Sequence, residues 1–210
     1  MGCGTGQLWT RAKDQYPDSV RLTLTDLSAA MVASAHAIAN QHFGGVRAQS
    51  ADVMELPFGD ETFDLIVANQ MLYHAPDPHR AVGEIARVLR PGGRLIAATQ
   101  GPDHLKELFA IEQTVFDVAS VRTQCDVFGS TSGTSILANA FAHVEWRPFV
   151  DTLRCTNAED VVRYLRSSSP GEDGDDAQVV GLLREVERLI ELGEGVLTIT
   201  KETGTFVATK

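Results

Sequence analysis

The chain has 210 residues, 43% of them hydrophobic and 22% charged, a composition that excludes fibrous and disordered proteins and suits one domain over 1–210. Its formal net charge of −10 sets a surface potential that disfavours phosphate backbones and anionic lipid heads, so neither nucleic acid nor a membrane is an expected partner. Cys3, Cys125 and Cys155 are widely spaced without a ligand pattern, so no metal is expected, and the lack of a bilayer-length apolar run or signal-like start points to the cytoplasm.

Residues 7–16 read as a helix and 20–25 (VRLTLT) as a strand rich in β-branched residues. Ser28 is suited to cap a helix over 29–42, which Gly44-Gly45 ends before a short strand at 46–49. Residues 63–68 (FDLIVA) form a nearly continuous apolar run, the pattern of a parallel strand buried on both faces. A helix over 81–89, started near Asp77-Pro78, and the turn Pro91-Gly92-Gly93 lead to a strand at 94–99. Alternation of helix and strand with short connections predicts an α/β fold, a doubly wound, mostly parallel Rossmann-like sheet with helices on both faces.

After Gly101 the pattern is less regular. A helix over 103–120, a polar loop over 124–134 and a long strand at 143–154 are expected, then helices over 157–168 and 177–192 around a solvated acidic loop at 167–176. Segments 196–200 and 205–208, separated by Glu202-Thr203-Gly204, read as a hairpin or a bulged strand.

The chemistry concentrates near the N-terminus. Gly2-Cys3-Gly4-Thr5-Gly6 precedes a helix, where glycines let a ligand approach backbone N–H groups. Asp26 ends the next strand, where a carboxylate can accept both hydroxyls of an adenosine ribose. A dinucleotide fingerprint would need glycine where Gln7 stands, whereas GxGxG is complete, which favours a ligand without a pyrophosphate. Asp52 leads into VMELPF (53–58), supplying a carboxylate for an exocyclic amine and apolar groups for an adenine ring. Plainer roles exist for each: a strand-to-helix turn for the glycines, a helix cap for Asp26, core packing for Leu27 and Val53.

The segments GCGTG, LTDLS, ADVMELPF, FDLIVANQMLYHAPD and RVLRPGGRL resemble, in order and spacing, the class I S-adenosylmethionine-dependent methyltransferases, especially the type 11 small-molecule group, over roughly residues 1–100. Residues 199–210 look like the last strands of one branch of that group, including an antiparallel C-terminal strand. The resemblance implies methyl transfer from S-adenosyl-L-methionine to a small-molecule acceptor, with Gly2, Gly4 and Gly6 facing the methionine portion and Asp26 the ribose. Leu27 would pack on the base, Asp52 and Val53 would contact the adenine, and Asn69 and Tyr73 would line the cofactor near its sulfonium. His74 is the candidate catalytic residue, as the base for a protonated acceptor. The acceptor's identity and the oligomeric state stay open.

Members of that group carry a helix and a first strand ahead of the glycine turn, and this chain begins inside the turn. Its sheet is therefore expected to lack that strand and to leave two edges, beside the strands ending at Asp26 and Asn69, without partners. The alternative reading is a non-catalytic cofactor-binding or interaction homologue that needs a partner or the missing segment. A nicotinamide-dependent oxidoreductase explains Asp26 but neither Gln7 nor Asp52.

Overall fold

In the computed structural model, which describes residues 1–12, 15–17, 19–117 and 123–210, the glycine turn runs into a short helix, α1 (Gln7–Arg11), that stops where Ala12 leaves helical geometry at φ −104°. The expected helix over 7–16 is thus shorter, and its residues 13 and 14 lie outside the described residues. Next, β1 (Thr23–Asp26) pairs in parallel with β2 (Arg47–Ser50), Asp26 standing opposite Ser50. Between them α2 (Ala29–Ala39) is capped by the Ser28 hydroxyl, which accepts from the Met31 N–H at 3.4 Å. Leu22, Leu24, Ala35, Ala39 and Val46 form a small core there, with Trp9 and Phe43 packed against it.

The second sheet begins with β3 (Phe63–Asn69) and β4 (Leu89–Gln100), parallel from Leu65 opposite Arg94 to Asn69 opposite Ala98. The connecting helix α3 (Pro78–Val88) starts where the Asp77 carboxylate accepts from the Arg80 N–H at 3.0 Å, and buries Ala81, Val82, Ile85 and Val88. The strand order is β3-β4-β6-β5, with β5 covering His143–Cys155 and β6 covering Leu197–Thr209. β6 runs antiparallel to β4, because Gly92 N–H donates to Lys210 O while Gly101 N–H donates to Glu202 O. An α/β fold with a mostly parallel sheet and an antiparallel C-terminal strand is the result.

Three expectations need correcting. The polar loop over 124–134 is instead two short helices, α5 (Thr123–Phe128) and α6 (Ser132–Ala138), because Phe128, Ile136 and Leu137 are buried in the main core. Of the two readings of the last segments the hairpin fails, and they are one strand, β6; Gly204 sits within it because a side chain there would strike the Trp146 ring. β3 is buried on one face only, by Ile66 and Ala68; on the other, Val67 is half-buried and Leu65 is 46% exposed, since β3 lies at the edge of its sheet.

By contacts the chain forms two compact units, one of Met1–Gln100, Gln124–Arg147 and Gly204–Lys210, the other of Gly101–Thr123 and Pro148–Thr203. In the second, α4 (Lys106–Phe116), α7 (Ala158–Leu165) and α8 (Asp176–Leu192) enclose Leu108, Ile111, Val161, Leu165, Leu182 and Val186. Residues 118–120 of the expected helix over 103–120 lie outside the described residues. Glu107 ties α4 to β6, accepting from the Thr200 N–H at 2.8 Å and the Thr200 hydroxyl at 2.7 Å. No helix among the described residues is long and apolar enough to cross a membrane.

Among the described residues no strand pairs with β1 on the side away from β2, or with β3 on the side away from β4. Residues 1–3 bridge these two edges near their carboxyl ends: the Met1 amino group donates to Val67 O at 2.7 Å and Cys3 N–H to Thr25 O at 2.9 Å.

Candidate functional site

Gly2, Gly4 and Gly6 all adopt positive φ, at +58°, +50° and +81°. A Cβ on Gly2 would stand 2.7 Å from Met71 Cβ, and one on Gly6 3.0 Å from Ala35 Cα, so both positions are set by close approach as well as by conformation. At Gly4 a Cβ would meet nothing within 4 Å. The turn is therefore seated on α2 and on the segment after β3, and its middle faces open space.

The turn is held by Asp26. One carboxylate oxygen accepts from the Gly4 N–H at 2.9 Å and the other from the Ser28 N–H at 3.0 Å. A carboxylate offers about four acceptor positions, so Asp26 retains capacity for two ligand hydroxyls. Helix capping falls to Ser28, as its contact with Met31 demonstrates. Leu27, beside Asp26, is 77% exposed and is not a core residue. A cradle with an empty centre, a carboxylate with spare acceptors and an apolar side chain beside it together fit an adenosine bearing a methionine tail.

Because β1 and β2 are parallel, their carboxyl ends coincide. Ala51 N–H donates to Asp26 O at 3.0 Å, which sets Asp52 directly beyond this contact. The Asp52 side chain accepts from the Met54 N–H at 2.8 Å, folding 52–55 into a turn, and Val53 packs half-buried against the main core. Arg87 on α3 fixes the chain beyond this turn, donating to Phe58 O at 2.8 Å, Leu56 O at 3.1 Å and the Asp60 carboxylate at 2.8 Å. Its partner Glu84 accepts from the Leu56 N–H at 2.9 Å, and hydrogen bonding to Arg87 holds the Glu84 carboxyl below the ordinary glutamate range.

At the end of β3, Asn69 stands opposite Ala98 and is half-buried. Gln70 comes next, in the left-handed region at φ +51°, its N–H bonded to Ala98 O at 2.9 Å. A single 3-10 turn, Leu72–His74, lies just beyond: Leu72 is buried and anchors it, Tyr73 is half-buried and His74 is exposed. The Tyr73 and His74 rings lie 4.5 Å apart. The Tyr73 hydroxyl donates to Gln70 Oε1 at 3.2 Å; burial pushes its pKa up, opposed by a hydrogen bond with the Gln100 side chain.

The candidates thus fall into two neighbouring groups within one compact unit. Gly2, Gly4, Gly6, Asp26, Leu27, Asp52 and Val53 lie about the ends of β1 and β2, whereas Asn69, Tyr73 and His74 lie at the end of β3, and the contact of Gly2 with Met71 joins the two. Sequence reasoning passed over Gln70 and Gln100. The only signal available for either was its place directly after, or at the close of, a strand.

Residues 1–97 match the family profile described as a methyltransferase domain, type 11. The likeness to type 11 methyltransferases thus rests on residues 1–97, just under half of the chain. It is 38% identical over 104 residues to an O-methyltransferase of Penicillium expansum, an alignment spanning 50% of this chain and 38% of that one. It is 31% identical over 176 residues to a malonyl-acyl-carrier-protein O-methyltransferase of a Paenibacillus species, covering 80% and 63% respectively. Among solved structures, the YcgJ protein of Bacillus subtilis aligns with all of this chain and 89% of its own, at 17% identity and a TM-score of 0.64, which establishes the shared fold. The chain spans 38% of the length of the first curated relatives it matches.

Proposed function

We propose that this protein transfers the methyl group of S-adenosyl-L-methionine to a small-molecule acceptor, acting as one domain over residues 1–210. The observation that carries the reading is the Asp26 carboxylate, bonded at once to the middle of the glycine turn and to the start of the next segment, with acceptor capacity to spare. In this reading Gly2, Gly4 and Gly6 take the methionine portion, Asp26 the ribose hydroxyls, Leu27, Asp52 and Val53 the adenine, and Asn69 and Tyr73 the region of the sulfonium. When bound, the cofactor supplies an already activated methyl group whose carbon–sulfur electron pair returns to sulfur on transfer.

The protein's own task is then alignment and exclusion of water, which can supply about 7–11 kcal/mol of the barrier. His74, exposed against Tyr73, takes the proton released by a protonated acceptor, a role worth typically 10²–10⁴ in rate. His74→Ala is expected to lower kcat at least tenfold while leaving the KM for S-adenosylmethionine within a factor of three. An unchanged kcat, read as S-adenosylhomocysteine formed per enzyme, removes His74 from the chemistry.

A second reading, a non-catalytic cofactor-binding homologue working with a partner, is favoured by the edge of β3 that no strand among the described residues pairs and by the exposure of Leu65 on it. The two differ in one result: only the enzyme forms S-adenosylhomocysteine when S-adenosylmethionine and a methyl acceptor are supplied.

A further inference from the structure

We propose that Gln70, Tyr73 and Gln100 form the acceptor subsite and select a molecule whose methylated atom is an uncharged hydroxyl oxygen, an inference that rests on the methyltransferase reading above. The three residues share the carboxyl end of two adjacent parallel strands: Gln70 comes directly after β3, Tyr73 lies in the next turn, and Gln100 closes β4. The Tyr73 hydroxyl donates to Gln70 Oε1 at 3.2 Å, and the parallel pairing of β3 with β4 brings Gln100 to the same end of the sheet, so the phenol and the two amides share one strand-end region.

Two features point to a ligand for this group. Gln70 is held at φ +51°, a conformation that glycine adopts freely and other residues resist, and its N–H is fixed on Ala98 O at 2.9 Å. Backbone strain of this kind clusters at ligand-binding sites, and here it stands at a strand end beside the proposed cofactor cradle. The group is also built from two amides and a phenol. Burial raises the phenol's pKa and so keeps it protonated as a donor.

Amides and a phenol together donate and accept, which matches a hydroxyl's own one donor and two acceptor sites. They do not offset the desolvation of a carboxylate or an ammonium, which needs an opposite charge beside it. Sites that hydrogen-bond a substrate hydroxyl discriminate against analogues lacking it by roughly 10⁴ or more. In the transfer, a lone pair of the acceptor oxygen forms the new oxygen–carbon bond as the carbon–sulfur bond breaks with its pair left on sulfur. The hydroxyl proton passes to His74 and on to water.

Saturation-transfer NMR of the chain in complex with S-adenosylhomocysteine, with benzyl alcohol, benzoate and benzylamine as probes, tests the assignment. Calorimetry on the same sample comes first, and absence of S-adenosylhomocysteine binding there overturns the methyltransferase reading itself. Given binding, the benzyl alcohol signal is expected at least fivefold above those of the two charged probes. Gln70→Gly, which suits the left-handed backbone, and Gln100→Ala should each cut it at least fivefold, and Gln70→Asn should restore part of it. Equal or stronger signals from the charged probes, no signal from benzyl alcohol, or a signal untouched by both substitutions overturns the subsite and leaves the methyltransferase reading standing.

Discussion

Replacing Asp26 by alanine is expected to raise the Kd for S-adenosylhomocysteine about a hundredfold or more. Two hydrogen bonds from ribose hydroxyls to an ionised carboxylate contribute about 1.5–3 kcal/mol each, and the substitution removes both acceptors. It also releases the Gly4 and Ser28 N–H groups that the carboxylate holds at 2.9 and 3.0 Å, so the glycine turn loses its internal tie as well as its ligand contact. Asp26→Asn separates these effects. An amide keeps one acceptor oxygen and puts a donor where the second stood, so a loss smaller than that of Asp26→Ala is expected. Calorimetric titration of the three proteins measures the order directly; equal affinities for all three would show that the carboxylate serves the fold alone.

The second large effect is expected at Gly6. Its φ of +81° costs an L-residue roughly 1–2 kcal/mol, and a Cβ there would stand 3.0 Å from Ala35 Cα and 3.1 Å from Ala35 Cβ. Backbone on α2 cannot rotate aside as a side chain end could, so crowding adds about 1–3 kcal/mol. Gly6→Ala should therefore lose about 2–5 kcal/mol in denaturant unfolding at an unchanged m-value and weaken cofactor binding together with it. Gly4→Ala makes the contrast, because a Cβ at Gly4 meets no protein atom within 4 Å. Its stability cost is confined to the left-handed backbone at φ +50°, while its expected loss of affinity reports directly on a ligand lying against the turn.

The parallel core was legible because its signals are local and repeated. Apolar runs such as FDLIVA, glycine punctuation and the caps Ser28 and Asp77 each mark an element within a few residues of its observed bounds. The region after Gly101 gave weaker signals for identifiable reasons. α5 and α6 are too short to display a 3.6-residue period, and Gly133, which reads as a loop residue, is required by the Phe206 ring packed against it. Gly204 likewise reads as a turn, yet its place in β6 is set by Trp146, a residue 58 positions away in the chain. Neither contact is visible without the tertiary structure.

The proposed cofactor cradle was more legible than the proposed acceptor side. The glycine spacing, Asp26 and Asp52 stand in an order that strand–turn–helix geometry explains, and parallel pairing of β1 with β2 brings the last two to one end of their sheet. Gln70 and Gln100 carry no such pattern. What singles them out is a backbone dihedral and a hydrogen bond to Tyr73 for Gln70 and a place at the end of β4 for Gln100, and their nearness depends on β3 and β4 lying side by side. Leu65 marks the same limit from the other side: its apolar run predicts full burial, and its exposure results from its strand's position at a sheet edge.

The measurement that bears most directly on the methyltransferase reading is a calorimetric titration of the purified chain with S-adenosylmethionine and S-adenosylhomocysteine, run beside Asp26→Ala. Saturable one-to-one binding of both compounds by the unmodified chain, lost or weakened at least a hundredfold by the substitution, is the predicted result. A folded chain that binds neither compound contradicts the reading.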